Sequence, residues 1–162
     1  MEAIVQDIKL KNNYHVMLPV VLEDLQAFFT ETFGECSAQT EEGFLVVLLS
    51  TDYYEEEVTL ELLEANRLAN QLEEAESEYG IDNLIAFFEY YSYNEMRLLE
   101  DIEFWRSRED YIDSLYETYG LSEMPFLWTT VDVFLDDNDV FEQILTAGAV
   151  YEARNGVIVD CP

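Results

Sequence analysis

Between Glu61 and Gly80 the sequence shows two faces at helical spacing. Ala65, Leu68, Ala69, Leu72, Ala75 and Tyr79 form an apolar stripe, while Glu61, Glu64, Arg67, Gln71, Glu74 and Glu78 lie opposite. A stripe of that width predicts an amphipathic helix laid on a core, with Thr59 as its N-cap and Gly80 as its stop. The outer face is nearly one-signed. Glu57 with Glu61, Glu74 with Glu78, and the row Glu109, Asp113, Glu117 put like charges four residues apart. Each such pair costs an isolated helix about 0.2–0.5 kcal/mol. A lysine would relieve it, yet no lysine follows Lys11.

The imbalance runs along the whole chain. Thirty-six Asp and Glu stand against 7 Lys and Arg and a single His, a formal charge of −29 on 162 residues. Residues 1–51 hold 8 of the acids, 52–103 hold 16 and 104–162 hold 12, so this is no acidic tail. Solubility of a small domain asks for a net charge of only about 2–8. The pattern therefore answers to something other than folding or solubility. It argues against a nucleic-acid binder, which needs a basic face, and against anionic membranes. Disorder is argued against by 49% hydrophobic and 14% aromatic residues. Positive partners, cations or a basic protein groove, suit this surface.

Neither Val16–Leu22 nor Phe44–Leu49, the longest apolar runs, reaches a membrane span, and no basic start precedes a hydrophobic stretch. Cys36 and Cys161 give neither metal spacing nor a disulfide framework. A cytoplasmic protein is expected.

The elements predict an α+β fold of three small subdomains in tandem. Residues 1–56 read as a sheet plus a helix: strands Ala3–Leu10 and Tyr14–Val20 joined near Lys11, Asn12 and Asn13, a helix Val21–Phe33 stopped by Gly34, and a strand Phe44–Ser50. Residues 57–104 read as helical, with Asp82 capping a second helix and Asn94 a third that continues through Ile102. Residues 105–162 read as helices plus a terminal hairpin. Ser107 and Asp110 resemble a capping box for a helix ending at Gly120, Phe126–Leu135 is helical, and a short apolar element covers Phe141–Leu145. Ala149–Ala153 and Val157–Asp160 flank the turn signal Asn155-Gly156.

Duplex DNA carries one negative charge per roughly 1.7 Å of axis, so 29 charges correspond to about 50 Å of duplex. A compact globule of 162 residues is only about 40 Å across. The chain could match that linear charge only if elongated. Acids one helical turn apart are separated by about 6 Å, comparable to the step between phosphates on one strand. The candidate partner-binding acids are therefore Glu57, Glu61, Glu64, Glu73, Glu74, Glu76 and Glu78, then Asp82, Glu89, Glu100, Asp101 and Glu103, and finally Glu109, Asp110, Asp113 and Glu117.

Other chemistry finds little support. With so many acids, accidental carboxylate pairs carry no catalytic signal, and His15 with Cys36 is the one possible Cys–His couple. Asp136-Asp137-Asn138-Asp139 lacks the glycine and closing Glu of a calcium loop, and reads as a turn cluster or helix cap. No catalytic residue, cofactor or metal is expected.

Three stretches resemble the ArdA antirestriction family. Ala65-Asn66-Arg67-Leu68-Ala69-Asn70-Gln71-Leu72-Glu73-Glu74 looks like that family's LN-x-L…L-x-EL helix, and Ile85-Ala86-Phe87-Phe88-Glu89-Tyr90 follows. Tyr116-Glu117-Thr118-Tyr119-Gly120 leads to Met124-Pro125, and Asp132 with Asp139-Val140 stands where the family has D…DL. Their order, together with the charge, carries the likeness; Phe141–Thr146 departs from it as an insertion. The resemblance implies a curved, elongated homodimer in a bacterial host cell whose acids imitate bent DNA. The implied partner is the DNA-binding groove of type I restriction–modification enzymes, the methyltransferase core with its specificity subunit, and no direct nucleic-acid or membrane binding is implied. A CRISPR effector, which also has a positive channel, is the alternative target.

Overall fold

A computed structural model describes residues 1–7, 11–21, 27, 31, 44–58, 60–118, 137–148 and 150–160. The helix expected at Phe126–Leu135, all but three residues of the helix expected at Val21–Phe33, the cap at Thr59, the stop at Gly120, and both cysteines lie outside the described residues. The fold is α+β, and the chain divides into two compact units, Met1–Ile81 and Asp82–Pro162. That division falls within the stretch read above as one helical middle part.

In the first unit four antiparallel strands, β1 (Glu2–Asp7), β2 (Asn12–Met17), β3 (Phe44–Ser50) and β4 (Glu55–Val58), form a sheet in the order β2-β1-β3-β4. Ala3 faces both Val16 and Leu49, and Val5 faces Val47. All of these are buried, so one face of the pleat is apolar across three strands. The β1–β2 hairpin agrees with the sequence, but β2 begins at Asn12, and Lys11 before it takes a positive φ of 55°.

Helix α1 (Leu62–Tyr79) lies against β3. Leu62, Ala65, Leu68, Ala69, Leu72 and Ala75 are buried, as the stripe predicts, while Tyr79 is half-buried. Gly80 closes the helix at a positive φ of 84°, donating its N–H to Glu76 O. The helix starts later than expected: Glu61 occupies the N-cap position, with no side-chain cap bond. The preceding residues form β4, an edge strand the sequence reading missed. Glu-Glu-Glu-Val has poor intrinsic strand preference, but exposed charges on an edge discourage further pairing. Glu57 thus sits on a strand, and Glu57 and Glu61 are not one helical turn apart.

Asn66 is the buried polar residue on α1's inner face. Its Oδ1 accepts from Val20 N–H at 2.7 Å and its Nδ2 donates to Val20 O at 2.9 Å. This amide pins the segment after β2 to the helix.

The second unit begins along α2 (Ile81–Phe88), continues through a 3-10 helix (Tyr93–Glu100), and then forms β5 (Glu103–Trp105) and α3 (Arg108–Thr118). After α4 (Asp137–Ala147), β6 (Val150–Glu152) and β7 (Ile158–Asp160) complete a three-stranded antiparallel sheet in the order β5-β7-β6. Asp82 lies in the first turn of α2 rather than capping it. The 3-10 helix is capped not by Asn94 but by Ser92, whose side chain and backbone exchange bonds with Glu95 in a capping box. Ile102 precedes a strand instead of extending that helix. Ser107 Oγ accepts from Asp110 N–H at 3.1 Å, the expected capping contact. Asp137 and Asp139 occupy the first turn of α4, where the macrodipole favours them. The apolar element expected at Phe141–Leu145 is part of this helix.

Phe141 is fully buried among Tyr111, Ile112, Tyr116, Val150 and Ile158. Tyr111 and Phe141 meet edge-to-face. Arg108 lies 4.8 Å over the Phe141 ring and pairs with both Glu142 and Glu152, tying α3 to α4 and β6. The terminal hairpin forms as predicted. Gly156 takes a positive φ of 84° and donates to Ala153 O, giving a turn followed by a left-handed glycine.

Candidate acidic interaction surface

The outer face of α1 is set by the burial of its inner face. Eighteen residues make a rod about 27 Å long. Along it Glu61, Glu64, Glu73, Glu74, Glu76 and Glu78 are exposed, and Arg67 is the one basic residue on the same helix. One strand of a duplex of that length carries about eight phosphates, so a single helix presents charge of comparable density. Its last turn contains no basic residue, and Glu76 and Glu78 stand at the negative end of the macrodipole. Folding alone would select the opposite sign there.

In the second unit α3 repeats the arrangement. Tyr111, Ile112 and Tyr116 turn inward, which leaves Glu109, Asp110, Asp113 and Glu117 exposed. Glu109, Asp113 and Glu117 follow one another at about 6 Å per helical turn. Asp82, Glu100, Asp101 and Glu103 are also exposed, on α2, at the end of the 3-10 helix and on β5. Every candidate acid except Glu89 is therefore solvent-facing, and Glu57 joins them from the edge strand β4.

Counter-ions are scarce. Among the described residues, Arg108 is taken by Glu142 and Glu152, Arg154 by Glu89, and His15 by Glu2 at 3.0 Å. The terminal amine of Met1 lies 3.9 Å from Glu73. Glu89 differs from the other candidates in function. It is half-buried, pairs with Arg154 Nε at 3.0 Å and accepts Arg154 N–H at 2.8 Å, so it holds the hairpin. Glu76 is partly engaged as well. Burial, then the charge and hydrogen bond of Glu76, push the Tyr53 phenol up to about 12. Burial and the Glu89 and Glu152 charges likewise raise Tyr90.

Two further shifts mark acids used structurally. The Ser92 backbone N–H, followed by its hydroxyl, holds the Glu95 carboxyl below the ordinary glutamate range. The Glu152 hydrogen bond raises the Arg108 guanidinium. Tyr111 and Tyr116 donate to Asp160 and Asp137. The acids thus sort into those that hold the fold and those that face outward. The outward ones are spread along elements rather than gathered, and among the described residues no group converges as a metal site would.

Beside the α3 row lies a groove of about 460 Å³. Phe104, Trp105 and Arg106 line it from β5 and the bend that follows, and Asp110, Asp113 and Glu117 from α3. Sequence reasoning missed the aromatic wall because it missed β5, a strand of only 3 residues. The adjacent pair Phe104-Trp105, just before a helix cap, was the available signal.

Comparison with protein-family models, with curated proteins and with solved structures gave no match. No helix among the described residues is long and apolar enough to cross a membrane.

Proposed function

We propose that this chain is a DNA mimic that inhibits a DNA-binding enzyme by occupying its positively charged groove. The reading rests on one observation: the carboxylates of α1 and α3 face solvent on regular helices, at spacings near those of phosphates, with few counter-ions among the described residues. Enzymes that act on DNA hold it largely through Lys and Arg contacts to phosphate. Carboxylates fixed by a folded core would engage the same side chains, and long-range attraction would speed encounter. A preformed surface also avoids the cost of bending a duplex into the groove. With the resemblance noted above, the target is a type I restriction–modification enzyme, engaged at its methyltransferase core and specificity subunit, and both cleavage and modification are blocked.

The test is a pull-down from bacterial lysate at low salt, with and without competing duplex DNA. The expected result is recovery of a restriction–modification complex that duplex DNA displaces. Single Ala substitutions on α1 or α3 should barely weaken inhibition, since the effect is summed, while neutralising a whole row should abolish it. Inhibition indifferent to ionic strength, or lost entirely with one surface acid, would refute the mechanism. Recovery of a different DNA enzyme would keep the mimicry and replace the target.

A further inference from the structure

The groove between β5 and α3 has a chemistry that the outer face of α1 lacks. One wall bears Asp110, Asp113 and Glu117, and the other bears Phe104 and Trp105, with Arg106 as the one positive group among the described residues that line it. Trp105 also packs edge-on to Tyr111, ring centroids 6.1 Å apart, and its Nε1 is buried without a hydrogen-bond partner among the described residues. The carboxylates outnumber Arg106, so the groove is net negative, and it is open enough to receive a side chain. Carboxylate oxygens beside an aromatic wall suit a planar guanidinium. It can donate to carboxylates in a bidentate fork while stacking on a ring. An ammonium has neither the fork nor the flat face.

We propose that this groove anchors one arginine side chain of the basic protein partner. The inference rests on the mimicry reading and names the residue type recognised at this place, where α1 would attract Lys and Arg alike. Arg106 tunes the site by repelling the incoming guanidinium.

The experiment titrates the full ¹⁵N-labelled chain with N-acetyl-arginine amide and, separately, with N-acetyl-lysine amide, following backbone resonances and the Trp105 indole by NMR. Arginine amide should produce saturable shifts confined to β5 and α3 and bind at least about fivefold more tightly than lysine amide. The triple variant Asp110→Asn, Asp113→Asn, Glu117→Gln should lose saturation, whereas Glu64→Gln, Glu74→Gln, Glu78→Gln, an equal charge change on α1, should keep it. Arg106→Gln should bind arginine amide about twofold or more tightly. Should the α3 triple variant not fold, Asp113→Asn alone supplies the comparison. Equal affinity for the two amides, shifts spread equally over α1, or an unchanged titration of the α3 variant would overturn the anchor. Capture of the DNA enzyme separates the two claims. If the α3 variant captures it undiminished while the α1 variant does not, the anchor fails and mimicry stands. If the unaltered chain captures none, mimicry fails, and the amide titration alone decides whether the groove selects arginine.

Discussion

Replacing Glu74 and Glu78 together by glutamine should make the free protein more stable and a weaker inhibitor. Both side chains are exposed on α1, one turn apart, and neither enters an ion pair among the described residues. Removing the like-charge pair relieves about 0.2–0.5 kcal/mol. Glu78 also stands in the last turn of a helix with no basic residue there. Neutralising it removes a dipole conflict of about 0.3–1 kcal/mol. Glutamine matches glutamate in helix propensity, so little else changes. The gain is about 0.5–1.5 kcal/mol, which for a chain of this size is a Tm increase of about 1–6 °C. It should be read by thermal unfolding at about 20 mM salt and should vanish near 1 M, where the Debye length is about 3 Å. Cleavage assays on the same variant should show inhibition weakened about three- to tenfold, as for loss of two rim charges. A variant no more stable at low salt, or a gain that survives high salt, would refute the electrostatic argument. Undiminished inhibition after replacing the whole outer face would refute the mimicry.

Asn66→Leu should destabilise the first unit by about 2 kcal/mol, because Val20 N–H and C=O lose their partners at a half-buried position; denaturant unfolding and faster amide exchange at Val20 are the readouts. Arg108→Met should cost the second unit about 1–2 kcal/mol through loss of the Phe141 contact and two ion pairs. An unchanged urea midpoint would show that the network contributes nothing. The Glu95 carboxyl is depressed by the Ser92 bonds, so its stabilising effect is complete above the ordinary glutamate range and is lost as pH falls through the lowered value. Stability curves of the unaltered chain and Glu95→Gln should therefore differ near neutral pH and converge in strong acid.

The sequence by itself determined the elements whose periodicity is long or whose turn chemistry is explicit. The stripe Ala65 to Ala75 fixed which face of α1 is buried, and thereby that Glu64, Glu74 and Glu78 look outward. Asn155-Gly156 marked the terminal hairpin, and Ser107 the start of α3. Exposure of the acids was legible too, because a buried unpaired carboxylate is too costly to keep. Tertiary structure decided what short segments become and what each acid does. β4 and β5 are strands only because β3 and β7 offer edges to pair with, and no local preference announces a neighbour. Glu89, Glu142 and Glu152 look like any other acid in the chain, yet contacts 34 to 65 residues away bind them to Arg108 and Arg154. The groove of Phe104, Trp105 and the α3 carboxylates likewise exists only once β5 lies beside that helix. Spacing along a chain sets which side of an element a residue occupies; what it meets there depends on partners distant in sequence.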